Sequence, residues 1–178
     1  MKPAISILLI ASAVFLLNCS ENSPPASEAN KAQFTVYSSV DNDPDIYPDN
    51  DKLETFNSYP IDKRMDTEWT TWRPQKPGDW LMLDMGKEYK LSQVVLDDRA
   101  TVLDFPRGFV FETTDQPPEK SLNDDGAWRK VAEFGAEATN ERGITTIKLE
   151  HPVNTRYFRI VLTKNSPRWW SVYNIELQ

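Results

Sequence analysis

Scarcities mark this chain first: among 178 residues there are one cysteine, one histidine and six glycines. A single cysteine rules out an intrachain disulfide and a cysteine-built zinc site. A Ser-His-Asp triad would have to use His151, which precedes Pro152 in a turn-like stretch, and no G-x-S-x-G elbow accompanies it. Acids outnumber bases, 27 against 20, for a net charge of -7, which excludes nucleic acid and anionic lipid as partners through bulk electrostatics. Heptads, internal repeats and long helix-period stretches are all missing. No motif sets two carboxylates across a cleft for glycoside hydrolysis. The chain therefore offers no catalytic residue, and its chemistry is expected to be binding.

What is present is a core and many short strands. With 39% apolar residues and six tryptophans there is material for one well-filled domain. Runs rich in Val, Ile, Phe, Tyr, Trp and Thr recur between Pro, Gly, Asn and Asp, the pattern of an all-β sandwich or barrel. Eight strands are expected, over residues 34–38, 80–85, 92–97, 108–113, 128–134, 144–149, 157–162 and 173–177. In the seventh, Phe158, Ile160 and Leu162 share one face while Tyr157, Arg159 and Val161 share the other. The run from Trp80 to Met85 is apolar on both faces, which predicts a strand covered on both sides. From Asp41 to Asp66 the chain is acidic and weakly patterned, with Pro44, Pro48 and Pro60 breaking any regular element, so a surface loop is expected.

The amino terminus carries an address. Lys2 precedes an apolar run of about 14 residues, Ala4 to Leu17, the length of a signal-peptide core and too short to span a bilayer comfortably. It ends in Leu16, Leu17, Asn18 and Cys19, which resembles the bacterial lipobox. That resemblance implies cleavage after residue 18 and lipidation of Cys19, and Ser20, in place of Asp, implies delivery to the outer membrane of the cell envelope. The membrane would be met through this anchor alone. Residues 19–33, polar and rich in Ser, Pro, Asn and Ala, cannot bury enough apolar surface to fold and read as a flexible tether. The folded domain is then residues 34–178, expected as a monomer.

Six phrases in order carry a second resemblance: "IDKRMDTEWTTW" at 61–72, "KPGDWLMLDMGKEYKLSQVVL" at 76–96, "DFPRGFVF" at 104–111, "DDGAWRKV" at 124–131, "TRYFRIVLT" at 155–163 and "NSPRWWSVYNIEL" at 165–177. Together they resemble the discoidin domain, also called the coagulation-factor type C domain, and the related family-32 carbohydrate-binding modules. The resemblance implies an eight-stranded jelly-roll β-sandwich of the galactose-binding type, with ligand loops at one end and often a structural calcium. The segment "DQPPEKSLN" at 115–123 is an insertion relative to that pattern and is expected to lengthen a loop. Asp62, Lys63 and Arg64 replace the family's Asp-Gly-Asn turn.

By that resemblance Asp62, Thr67 and Glu176 would supply side-chain oxygens to calcium, with carbonyls near Tyr59 and Arg64 completing the shell. The alternative is that Asp62 caps a turn and Glu176 faces solvent. A sugar needs a flat aromatic for its C–H face and charged or amide groups for its hydroxyls. Trp72, Arg99, Asp104 and Trp169 lie in loops at one end and are the candidates. Neighbouring strand residues point to opposite faces, so Trp169 and Trp170 cannot both join the core from one strand. The resemblance favours Trp170 inside, with Trp169 lidding the loops or stacking on ligand. Trp69 and Trp80 are expected in the core, and Arg156 and Arg159 as ion-pair partners. The partner is then a carbohydrate or, alternatively, an envelope protein.

Overall fold

The computed structural model describes residues 23–26, 33–41, 53–135 and 140–178. Its strands are β1 (Thr35–Ser38), β2 (Trp69–Thr70), β3 (Trp80–Asp97), β4 (Gly108–Thr114), β5 (Arg129–Gly135), β6 (Asn140–Glu141), β7 (Ile144–Leu162), β8 (Ser171–Val172) and β9 (Asn174–Leu177). Two short helices, α1 (Leu53–Ser58) and α2 (Pro118–Ser121), interrupt them. The signal peptide expected over residues 1–18, and Cys19, lie outside the described residues.

An all-β sandwich is what forms, but its strands are joined differently from the expectation. Residues 80–85 and 92–97 are two halves of one strand, β3, and 144–149 and 157–162 are two halves of β7. The two run antiparallel as one ribbon, Trp80 opposite Val161 and Asp97 opposite Ile144, with register breaks between Asp84 and Tyr89 and between Leu91 and Gln93. The first half belongs to a layer ordered β1-β3-β7-β4-β5, while the second half lies between β9 and β6. Leu81 and Leu83 from one half share a single core with Val94, Leu96 and Ile147 from the other. The ribbon therefore folds over at its middle, so that its two halves face each other as the layers of the sandwich. Both of its ends come to the same end of the molecule.

Alternation decides which side chains fill the space between the layers. Phe158, Ile160 and Leu162 are each 1% exposed and lie in this core with Phe109 and Phe111. The opposite face of the first layer is covered too. Met82, Trp128 and Tyr157 form a second cluster there, with Tyr37, Trp80 and Leu122 packed on it. Trp80, expected in the main core, belongs to this outer cluster and is half-buried. The insertion at 115–123 supplies the cover: α2 brings Ser121, whose carbonyl accepts the Trp128 indole N–H at 2.9 Å. Arg156 and Arg159 are ion-pair partners as expected, Arg156 with Asp84 at 2.8 Å and Arg159 with Glu112 at 2.7 Å.

Two further expectations need correction. The stretch 41–66, expected as loop, contains α1 and a 3-10 turn, Tyr59–Ile61, where described. Pro60 sits in the first turn of the latter, where a missing N–H costs nothing. Phe56 meets Tyr59 edge to face at 5.5 Å, which gives the segment an apolar reason to close. The tether, where it is described, is docked. Pro24 O accepts the Lys90 amide at 2.9 Å, Ser23 Oγ bonds Glu88, and Ala26 is 2% exposed within the core. Lys90 stands at the ribbon's bend, opposite Asn154 between the two register breaks, and its amide finds its acceptor outside the ribbon.

Candidate functional site

At the end where both ribbon ends meet, β2 and β8 pair antiparallel, Trp69 opposite Val172 and Thr70 opposite Ser171. Trp69 and Trp170 both turn inward, edge to face at 5.1 Å, and are almost fully buried. Trp170 is held there by exchange with Thr71: the Thr71 amide donates to Trp170 O at 2.9 Å, and the Trp170 amide donates to Thr71 Oγ1 at 3.0 Å. Trp169, just before this exchange and outside β8, faces outward and is 38% exposed.

Trp72 leaves β2 through the left-handed region, at φ 49°, a conformation that costs a bulky residue of order 1 kcal/mol or more. Its amide donates to Thr70 Oγ1, and Thr71 Oγ1 donates to Arg73 O at 2.8 Å, which fixes the turn. The strain places Trp72, 47% exposed, beside Trp169 with ring centroids 5.4 Å apart and planes tilted by 56°. Two indoles from segments about a hundred residues apart thus form one exposed aromatic pair.

Gln75 ties the surrounding loops together. Though 2% exposed, it finds partners for every polar atom: Nε2 donates to Phe105 O at 2.9 Å and to Trp169 O at 2.6 Å, Oε1 accepts the Arg107 amide at 3.1 Å, and its amide donates to Arg168 O at 3.0 Å. The loop 103–107 and the loop 166–169 are therefore positioned by one side chain. Arg107 donates to Leu103 O at 2.6 Å and lies over the Phe105 ring at 3.5 Å. Asp104 O accepts the Ser171 amide at 2.8 Å. Burial, then the charge of Glu68, pushes the Asp104 carboxyl up, while Arg168 and Arg107 pull it back. Behind it Tyr173 bonds Glu68, and burial first and that bond next push the phenol up to about 12.

Of the four expected ligand residues, Trp72, Trp169 and Asp104 come together and Arg99 does not. Arg99 turns back onto Asp97, Nε to Oδ1 at 3.0 Å, and lines a cavity of about 900 Å³ shared with Lys63, Asn174 and Glu176. Gln75, Arg107 and Arg168 were not among the candidates. Arg107 and Arg168 stand in "DFPRGFVF" and "NSPRWW", but nothing local distinguishes a loop arginine that faces a site from one that does not. For Gln75 the only signal is a polar residue between Pro74 and Pro77.

Asp62 Oδ1 accepts the Arg64 amide at 2.8 Å and Oδ2 accepts Thr67 Oγ1–H at 2.7 Å, so the loop's own donors hold both oxygens. Lys63, at φ 64°, lines the same cavity as Glu176, which accepts from Asn174 at 3.3 Å. Among the described residues no three Asp, Glu, His or Cys side chains gather closely enough to hold a metal. In this arrangement Asp62 and Thr67 bond each other and Glu176 bonds Asn174, whereas a calcium ion would draw six to eight oxygens around itself. His151 lies at the ribbon's bend with its side chain in solvent, away from the aromatic pair.

Comparison with known proteins follows this geometry. The family-32 carbohydrate-binding module of Clostridium perfringens NanJ, solved with galactose, superposes with a TM-score of 0.58 at 17% identity, covering 83% of this chain and 94% of that one. Chitosan-binding module 2 of a Paenibacillus sp. IK-5 chitosanase/glucanase, solved with chitotriose, gives 0.56 at 15%, covering 83% and 98%. The family-32 module of AlyQ, solved with 4,5-unsaturated mannuronic acid, gives 0.52 at 18%, covering 80% and 92%. No curated protein matches the chain. Residues 48–175 match the model of the F5/8 type C domain, and the chain belongs to that family.

Proposed function

We propose that this is a non-catalytic carbohydrate-binding domain, carried as a lipoprotein on the bacterial cell surface, that holds a polysaccharide or glycan at the Trp72–Trp169 end. The observation that carries the reading is the exposed indole pair, set among guanidinium and carboxyl groups on loops that Gln75 fixes. An indole face covers the C–H face of a pyranose, and the polar groups beside it meet the hydroxyls. Three solved neighbours, bound to galactose, chitotriose and an unsaturated mannuronic acid, support the ligand class and leave the sugar open. Weak affinity per site would be offset by many anchored copies.

A glycan array probed with residues 23–178 tests the reading. Binding is expected, and Trp169→Ala or Trp72→Ala is expected to lower it at least tenfold while the melting temperature changes little. A second reading, docking of an envelope protein, is favoured by Val102 and Leu103, each about half exposed on the neighbouring loop, which widen the apolar surface. Silence on the array from a folded protein selects it. The anchor is tested separately by metabolic labelling with palmitate, which Cys19→Ser should abolish.

A further inference from the structure

The arginines of the described residues fall into distinct groups. Arg64, Arg73, Arg99, Arg156 and Arg159 each lie on a carboxylate, at 2.5 to 2.8 Å. Arg107, Arg129, Arg142 and Arg168 make no such pair among the described residues, although acids exceed bases in the chain. Of these four, Arg107 and Arg168 are the two whose backbones Gln75 joins, one through its side chain and the other through its amide, beside the carbonyl of Trp169 that it also holds. Arg107 is ordered by Leu103 O and by Phe105, so its position does not depend on an acid. The Arg168 side chain is exposed next to Trp169.

Burial lowers the pKa of Arg107, and the charge of Arg168 lowers it further. Asp104 faces both and Asp98 also faces Arg107, and neither acid forms an ion pair with them among the described residues. Two like charges thus stand on loops that Gln75 fixes beside the exposed tryptophans. An anion placed between them would relieve the repulsion, and a guanidinium offers planar, paired donors suited to an oxyanion.

We propose that the ligand is an anionic polysaccharide, whose carboxylate or sulfate is held by Arg107 and Arg168 while its ring stacks on the Trp72–Trp169 pair. This rests on the carbohydrate reading above and narrows it. A neutral sugar would leave the guanidinium pair uncompensated, and a cationic one would be repelled.

Calorimetry with residues 23–178 tests it, using oligogalacturonate for carboxylate, a carrageenan oligosaccharide for sulfate, a neutral galacto-oligosaccharide and a chitosan oligomer. One anionic probe is expected to bind at least tenfold tighter than the neutral one, weakening as salt rises. Arg168→Gln should remove about tenfold of that preference; Trp169→Ala should lower binding of the anionic and the neutral probe alike. Equal affinity for neutral and anionic probes, preference for chitosan, or indifference to Arg168→Gln would overturn the charge inference while leaving the sugar site standing. Trp169→Ala without effect, or silence from every probe by a folded protein, would overturn both.

Discussion

Asp98 is 1% exposed at the end of β3, and burial, with the charge of Asp97 adding to it, pushes its carboxyl up to about 6. The native state therefore keeps this proton between the ordinary carboxylate range and about 6, where the unfolded chain has released it. Stability contributed by the protonated group is lost as pH rises through that window, and the fold is less stable by a constant amount above it. Asp98→Asn is expected to raise stability at pH 7 by about 1–2 kcal/mol and to flatten the dependence between pH 4 and 6, read by urea melts across pH. Trp170 and Trp169 differ by one position and by their whole environment. Trp170→Ala should cost about 3–5 kcal/mol, against under about 1 kcal/mol for Trp169→Ala, in the same assay. That one of the two would lie outward was legible in the sequence, but the reason was not strand alternation: both precede β8, and Trp170 through Tyr173 are buried in succession. Arg99 was not, since its direction is set by capture on Asp97 two residues earlier, and either direction suits a loop. Gln75 was less legible still, because its partners are carbonyls about 30 and 94 residues away.

At the level of elements, the hairpin between β6 and β7 turns through Gly143 at φ +81°, where an added Cβ would lie 2.8 Å from the Arg99 Cα. Backbone on both sides leaves nothing to give way, so Gly143→Ala is expected to cost more than about 2 kcal/mol. A fall in melting temperature of several degrees checks this. The loop after α1 is closed by the Asp62–Thr67 hydrogen bond, and melting curves with calcium and with chelator are expected to coincide. A rise with calcium would mean that Thr67 gives up Asp62 to the ion. The positions of the strands were readable because alternation and turn residues mark where apolar runs start and stop. Their continuity was not: Lys87, Glu88 and Lys90 are polar, yet after the unpaired residues 85–88 pairing resumes at Tyr89–Leu91 and again from Gln93. The helix α2 was hidden for a different reason, since four residues carry too little periodicity to be seen.

For the molecule as a whole, the order of six phrases was enough to expect the architecture, because each marks a strand or a loop at a set place in it. The boundary of the domain was misplaced. Composition made residues 19–33 a tether, but hydrogen bonding at Lys90 and burial of Ala26 depend on the bend that receives them. A domain starting at residue 34 should be less stable than one starting at residue 23 by about 1 kcal/mol or more, measured by denaturant unfolding. The docked segment lies at the bend of the ribbon, while the aromatic pair lies where the ribbon's ends meet. If Cys19 carries lipid, four residue steps separate the bilayer from docked Ser23, a leash of at most ~14 Å. On that condition the body could not roam: it would stand on the membrane like a post with the aromatic pair at the far end, and the height at which it would catch a passing polymer would be set by the length of the sandwich.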